Sequence, residues 1–148
     1  MTRINSAINV LNLTDEHLLA EHREIKRIPS VYSKHNNKNK IIPPKFTLGT
    51  GHVLFFINKP FFTILRYKQL YEECLKRNFK VENYIDNWNV YENVKNGHIL
   101  NDHVSSMEEY HLLLDRITER ITNTKKPYWH YYGNVISKED AVTLLHNR

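Results

Sequence analysis

The stretch Thr14-Asp-Glu-His-Leu-Leu-Ala-Glu-His-Arg-Glu-Ile-Lys-Arg-Ile-Pro29 decides how the chain folds. Thr14 can cap a helix, and Asp15 and Glu16 suit its positive first turn. A helix is therefore predicted from Thr14-Asp15 to at least Ile28. Ile28-Pro29 marks a kink or break, because proline restricts the residue before it and clashes with the preceding turn. Beyond it helix resumes to about His35. On a wheel of about 100° per residue, Leu18, Ile25 and Pro29 fall together with Ile28 to one side. The opposite arc carries His17, Ala20, Arg23, Glu24 and Arg27. Two readings of that arc stand. One is a solvated face with a Glu24–Arg27 ion pair. The other is a phosphate clamp, two arginines flanking a catalytic carboxylate. Arginine suits a clamp because its planar fork matches phosphate oxygens. A carboxylate beside cations stays ionised and can serve as a base.

Outward from this helix, two more are predicted. Pro60 to Asn78 places Phe61, Ile64, Leu65, Tyr71, Cys74 and Leu75 on a core-facing stripe. Ser106 to about Thr122 starts with a capping box, Ser106 and Glu109, and shows Tyr110, Leu113, Leu114, Ile117 and Ile121 on one face. A short fourth helix spans about Lys138 to Leu145. Residues 36–44 form a polar loop. Lys45 to Phe56 is apolar but holds Gly49 and Gly51, so it reads as a strand or a buried irregular turn. Residues 80–104 show no period and read as a long loop. No strand alternation is convincing. The expected fold is all-α: one compact domain over residues 1–148, three main helices with long irregular loops, and residues 134–148 an extra tail.

The arithmetic fits this. The chain has 148 residues, 41% hydrophobic and 25% charged, which suits one globular domain. Lys and Arg number 21 against 16 Asp and Glu, a net charge of +5 that is compatible with a polyanionic partner. A single cysteine, Cys74, excludes a disulfide scaffold and a cysteine-based zinc site. The nine histidines have no zinc-like spacing, so no metal is expected. No apolar run is long enough to cross a bilayer, and the N-terminus lacks a secretory signal. The chain is expected to be intracellular, not secreted and not membrane-bound.

Pro127-Tyr-Trp-His-Tyr-Tyr-Gly133 is the densest aromatic run. It reads either as a cap over the helices or, with Lys125 and Lys126 beside it, as a surface for nucleic acid. Trp129, Tyr131 and Tyr132 are the candidate rings. Cys74 reads as inert core. Glu21, at the edge of the apolar stripe, reads as a buried carboxylate paired with a cation from elsewhere. His52 reads as a hydrogen-bonded core histidine. Gly49 and Gly51 are too sparse for a phosphate loop and permit a tight turn.

Five segments, in order, carry a resemblance. They are Met1-Thr-Arg-Ile-Asn5, His17-Leu-Leu-Ala-Glu-His-Arg-Glu24, Phe46-Thr-Leu-Gly-Thr-Gly-His-Val-Leu-Phe-Phe56, Glu73-Cys-Leu-Lys-Arg-Asn-Phe79 and Trp129-His-Tyr-Tyr-Gly133. Together they resemble the pyrimidine-dimer DNA glycosylase/AP lyase of the phage endonuclease V type, across residues 1 to about 133.

The resemblance implies a compact all-α protein that binds damaged double-stranded DNA. It implies removal of the 5′ base of a cyclobutane pyrimidine dimer, then β-elimination, with no metal or other cofactor. The nucleophile would be the α-amine of Thr2, exposed when Met1 is removed, and the carboxylate would be Glu24. DNA contacts would map to Arg3, Arg23 and Arg27, with His17 near the site and the terminal aromatic segment on damaged DNA. A monomer acting in the cytoplasm of an infected host cell, or wherever its DNA lies, is expected. The residues leave two alternatives open: a catalytically silent protein that binds damaged DNA, or the same chemistry on an abasic site or ring-opened purine.

Overall fold

The computed structural model describes residues 4–34, 41–93 and 99–147. Helix α1, Asp15–Glu24, begins where its cap predicts, the Thr14 hydroxyl oxygen accepting from the His17 N–H at 3.2 Å. It ends sooner than expected. Proline clashes with the carbonyl four residues back, which for Pro29 is that of Ile25. The chain turns at Ile25–Lys26, and the Ile25 carbonyl accepts from the Ile28 N–H instead, at 3.1 Å. Helix α2, Arg27–Lys34, then starts with Pro29 in its first turn, where no N–H is required. The break thus precedes Ile28-Pro29, and Arg23 and Arg27 lie on different helices. The expected end near His35 falls outside the described residues.

Residues 45–56 contain neither strand nor irregular turn alone. A 3-10 turn, Gly49–Gly51, leads into helix α3, His52–Phe56. Gly49 adopts φ 80°, and a Cβ at Gly51 would come within 2.8 Å of Thr47 Cγ2. The two glycines therefore make a turn too tight for side chains.

Helix α4, Pro60–Lys76, carries proline in its first turn. Its apolar stripe is misphased in the sequence reading. Phe61 and Leu65 are 58% exposed and Leu75 is 48% exposed, whereas Thr63, Arg66, Tyr67, Leu70, Glu73 and Cys74 are buried. The inward face includes two charged residues, which a hydrophobicity pattern assigns to solvent.

The expected loop at 80–104 is partly ordered. A 3-10 segment, Ile85–Asn89, precedes the short helix α5, Val90–Asn93, and the buried Trp88 donates from Nε1 to Thr63 Oγ1 at 3.0 Å. Helix α6, Met107–Asn123, buries Leu113, Leu114, Ile117 and Ile121 as predicted. Only half of its capping box forms: Ser106 accepts from the Glu109 N–H, but the Glu109 carboxylate pairs with His103 at 3.0 Å.

The chain is mostly helical, as expected, but the all-α expectation misses a hairpin. Strands β1, Tyr128–Tyr131, and β2, Asn134–Ser137, pair antiparallel, Trp129 opposite Ile136. The turn residues Tyr132 and Gly133 have φ 51° and 79°, the signs of a type I′ hairpin. The supposed tail therefore belongs to the packed unit: β2 is followed by helix α7, Lys138–Leu145, whose Ala141 and Leu145 are fully buried.

Residues 4–14 enter the core without a strand partner, so their carbonyls need other donors. Two arginines on or just after α4 supply them. Arg66 donates to the carbonyls of Asn5 (2.8 Å) and Ile8 (2.6 Å), and Arg77 to those of Leu13 (2.8 Å) and Val10 (3.1 Å). Both also pair with buried carboxylates: Arg66 with both oxygens of Glu21 (2.7 and 2.9 Å), Arg77 with Asp15 (3.0 Å) and Glu73 (2.8 Å). The cation expected for Glu21 is thus Arg66.

Removing Arg66 would strand the buried Glu21 carboxylate and the Ile8 carbonyl, and leave the Asn5 carbonyl with the Ile8 N–H as its donor. Arg66→Ala is expected to cost about 3–5 kcal/mol, whereas Leu65→Ala, one residue away but exposed, should cost at most about 0.5 kcal/mol. Urea unfolding of the two variants measures both.

Candidate functional site

The candidate residues of helix α1 gather at its two ends, about 14 Å apart along its axis. At its C-terminal end stand Arg23, exposed, and Glu24, half-buried, followed by Arg27, exposed, at the start of α2. Arg27 lines a cavity of about 730 Å³ with Arg116 and Arg120 of α6, Glu119, His52 and the Gly49–Thr50 backbone. Three arginines thus converge on one opening.

Arg116 joins this opening to the start of the described chain. Its Nη2 donates to the Ile4 carbonyl at 2.9 Å and to Asn5 Oδ1 at 3.2 Å, while its Nε is buried without a partner. Burial, and then Arg120, pull Arg116 down to about 10, against the carboxylates of Glu21 and Glu24. It remains cationic at neutral pH. Arginines 116 and 120 escape the sequence reading. Their i,i+4 spacing, at the edge of the apolar face of α6, is the same signal that singles out Arg23 and Arg27.

His52 behaves as the sequence reading expects. It is fully buried, and Nδ1 donates to the Thr47 carbonyl at 3.1 Å. Burial, and then Arg116, lower its pKa to about 4, so it forms a neutral wall of the cavity. Cys74 is buried, and burial raises its thiol to about 11, which leaves it inert.

At the N-terminal end of α1 the arc is covered rather than solvated. His17 and Ala20 are buried. The His17 ring stacks on Trp129 at 4.8 Å, and its Nδ1 meets the Thr14 hydroxyl at 2.7 Å. The Asp15 carboxylate accepts from the N–H groups of Tyr132 (3.0 Å) and Gly133 (2.8 Å), and Glu16 accepts from the His130 N–H (3.0 Å). These bonds hold bulky Tyr132 in a left-handed conformation that costs about 1–2 kcal/mol. Lys126 binds Glu16 at 2.6 Å and lies 4.7 Å from the Trp129 ring. Burial pushes the Glu16 carboxyl up, but Lys126 and His130 outweigh it and hold it at about 2.

The aromatic candidates are therefore built largely into the fold. Trp129 is 8% exposed, Tyr131 donates to the Leu11 carbonyl, and Tyr132 donates to Glu73. Tyr132 and Lys125 remain exposed. The structure sets Glu24 at the end of α1, three residues before the cavity-lining Arg27, and sets His17, Lys126 and Trp129 at the other end of α1. Thr2 and Arg3 lie outside the described residues. Among the described residues no group of three or more His, Cys, Asp or Glu could hold a metal ion, and no helix is long and apolar enough to cross a membrane.

A family model described as pyrimidine dimer DNA glycosylase matches residues 1–87. The match takes in Thr2, Glu24, Arg27 and His52. Arg116, Arg120 and the hairpin lie beyond it.

His52 sets a pH dependence of stability. Its pKa is about 6.5 unfolded and about 4 folded, so unfolded chains bind its proton first as pH falls. Its stabilising effect is complete above pH 6.5 and is lost as pH falls toward 4, by up to about 3 kcal/mol. Replacing it in His52→Gln should flatten the stability profile in that window. The Glu16 contribution, present above pH 4.5 and lost toward pH 2, should persist in the variant. Urea unfolding across the acid range reads both.

Proposed function

We propose, from the premise that the chain belongs to the pyrimidine dimer DNA glycosylase family, that it excises the 5′ base of a cyclobutane pyrimidine dimer in duplex DNA and then nicks the backbone through an imine on the Thr2 α-amine. The observation that carries this reading is the convergence of Arg27, Arg116 and Arg120 on one cavity, with the Glu24 carboxylate felt by Arg116. Anion-binding groups beside the helix end that bears Glu24 suit a sugar flanked by phosphates.

The chemistry assigns each residue a role. Methionine aminopeptidase removes Met1 readily before a residue as small as threonine. The exposed α-amine has a reference pKa of about 7.7–8.0, against about 10.4 for lysine. A useful fraction is therefore neutral at physiological pH. The amine attacks C1′ as the base departs, and the cationic sugar developing in that step is stabilised by Glu24. The resulting imine acidifies the C2′ hydrogens. Loss of one such proton, assisted by Glu24, expels the 3′ phosphate.

The arginines hold the phosphates of a bent duplex. A dimer already weakens stacking and pairing, which makes that bend cheaper. Arg3 and Arg23 extend the cationic surface in this reading, and the exposed Lys125 and Tyr132 add contacts at the hairpin. The buried Trp129 acts there by holding the hairpin against His17. The nick needs no metal and should proceed in the presence of a chelator.

Incision assays on duplexes bearing a dimer, an abasic site or a ring-opened purine test the reading. Glu24→Gln is expected to slow base removal at least about 100-fold while duplex affinity stays within a factor of about two. An added residue before Thr2 should abolish the nick. Full incision by either variant would contradict the mechanism, and incision of the other lesions alone would reassign the substrate. Arg116→Gln and Arg120→Gln should each weaken duplex binding uniformly and lower the slope of log affinity against log salt by about one.

A further inference from the structure

The buried Glu21–Arg66 pair takes no part in the chemistry proposed above, yet it bridges the two chain segments that carry it. Glu21 lies three residues before Glu24 on α1, one turn along the same helix. Arg66 holds the segment that leads back to Thr2. Its Nε and Nη2 reach the two oxygens of Glu21 at 2.7 and 2.9 Å, its Nη2 also donates to the Asn5 carbonyl at 2.8 Å, and its Nη1 to the Ile8 carbonyl at 2.6 Å. The two side chains are 0% and 5% exposed, so neither is open to DNA.

We infer that Arg66 and Glu21 are positioning residues for the lyase step, their planar fork locking residues 5–8 against the helix that carries the Glu24 carboxylate. This rests on the reading of Thr2 and Glu24 given above. One guanidinium grips the helix of the carboxylate and the carbonyls three and six residues beyond the amine. Lysine could not replace this arginine: a point charge on a flexible stem cannot make the four bonds of a flat fork. An apolar pair of similar volume would fill the space, and can even be more stable than a buried ion pair, but it would untie the carbonyls of Asn5 and Ile8 from α1 and α4. Misplacement by about 1 Å can cost about 100-fold in rate.

The test is single-turnover imine formation by the full chain on abasic-site duplex DNA. The amine nitrogen adds to the sugar aldehyde, water leaves, and borohydride reduces the imine to a stable adduct. Rates are taken across the titration range of the α-amine, at a temperature where circular dichroism shows each variant folded. Affinity is measured on a duplex with a reduced abasic analogue. Arg66→Lys is expected to lower the plateau rate about 10- to 100-fold, with the midpoint of the pH profile and the affinity unchanged; Glu21→Gln should do the same to a smaller degree.

A plateau equal to wild type in folded Arg66→Lys overturns the inference, as does a loss of affinity that matches the loss of rate. No adduct with the wild-type chain overturns the reading of Thr2 and this inference with it, which separates the two failures. Hydrogen exchange on the wild-type chain keeps the clamp refutable even if neither variant folds. The Ile8 N–H, bonded to the Asn5 carbonyl at 2.9 Å, should exchange as slowly as the interior amides of α1; exchange at the rate of free coil contradicts the clamp.

Discussion

Two buried arginines hold the first described segment of the chain to the helices. Residues 4–14 run through the core with only a short 3-10 turn, Val10–Asn12, of regular structure. Backbone carbonyls in that position must find donors or cost about as much as a lost hydrogen bond. Arg66 and Arg77 answer four of them, and Glu21, Asp15 and Glu73 neutralise the two charges. Neither half of this arrangement is stable alone. Without the carboxylates the guanidinium groups would be buried charges, and without the carbonyls they would retain unpaired N–H groups.

Helix α1 is the hub of that network. Asp15 and Glu16 hold the hairpin, Glu21 holds Arg66, and His22 meets the Tyr67 hydroxyl at 3.1 Å. Its last turn carries Arg23, exposed, and Glu24, half-buried, the carboxylate of the proposed site. A ten-residue helix fastened along most of its length is a rigid mount for one carboxylate. The cavity of Arg27, Arg116 and Arg120 opens beside that mount. The net charge of +5 thereby acquires a location.

What is legible in sequence follows from which forces a one-dimensional pattern records. The apolar face of α6 is legible because Leu113, Leu114, Ile117 and Ile121 bury by hydrophobicity alone. The cap at Thr14 is legible because its donor lies three residues away. The phase of α4 is not, since Arg66 and Glu73 are buried by partners 45 and 58–61 positions away or on a neighbouring turn. The hairpin is hidden for two reasons. Its turn is Tyr-Gly rather than Asn-Gly, and its left-handed tyrosine is held by Asp15, more than a hundred residues earlier. The proposed site is half legible. Glu24 and Arg27 are picked out by residue type and spacing although the helix of the wheel breaks between them, whereas Arg116 and Arg120 come near them only through the packing of α6.

The most direct measurement is the identity of the residue that becomes covalently linked to DNA. Reducing the reaction on a dimer-containing duplex with borohydride, digesting the adduct and sequencing the modified peptide by mass spectrometry would locate the bond. The expected result is a single attachment at the α-amine of Thr2, with Met1 absent. Attachment to a lysine side chain, or strand incision with no trapped adduct, would contradict it.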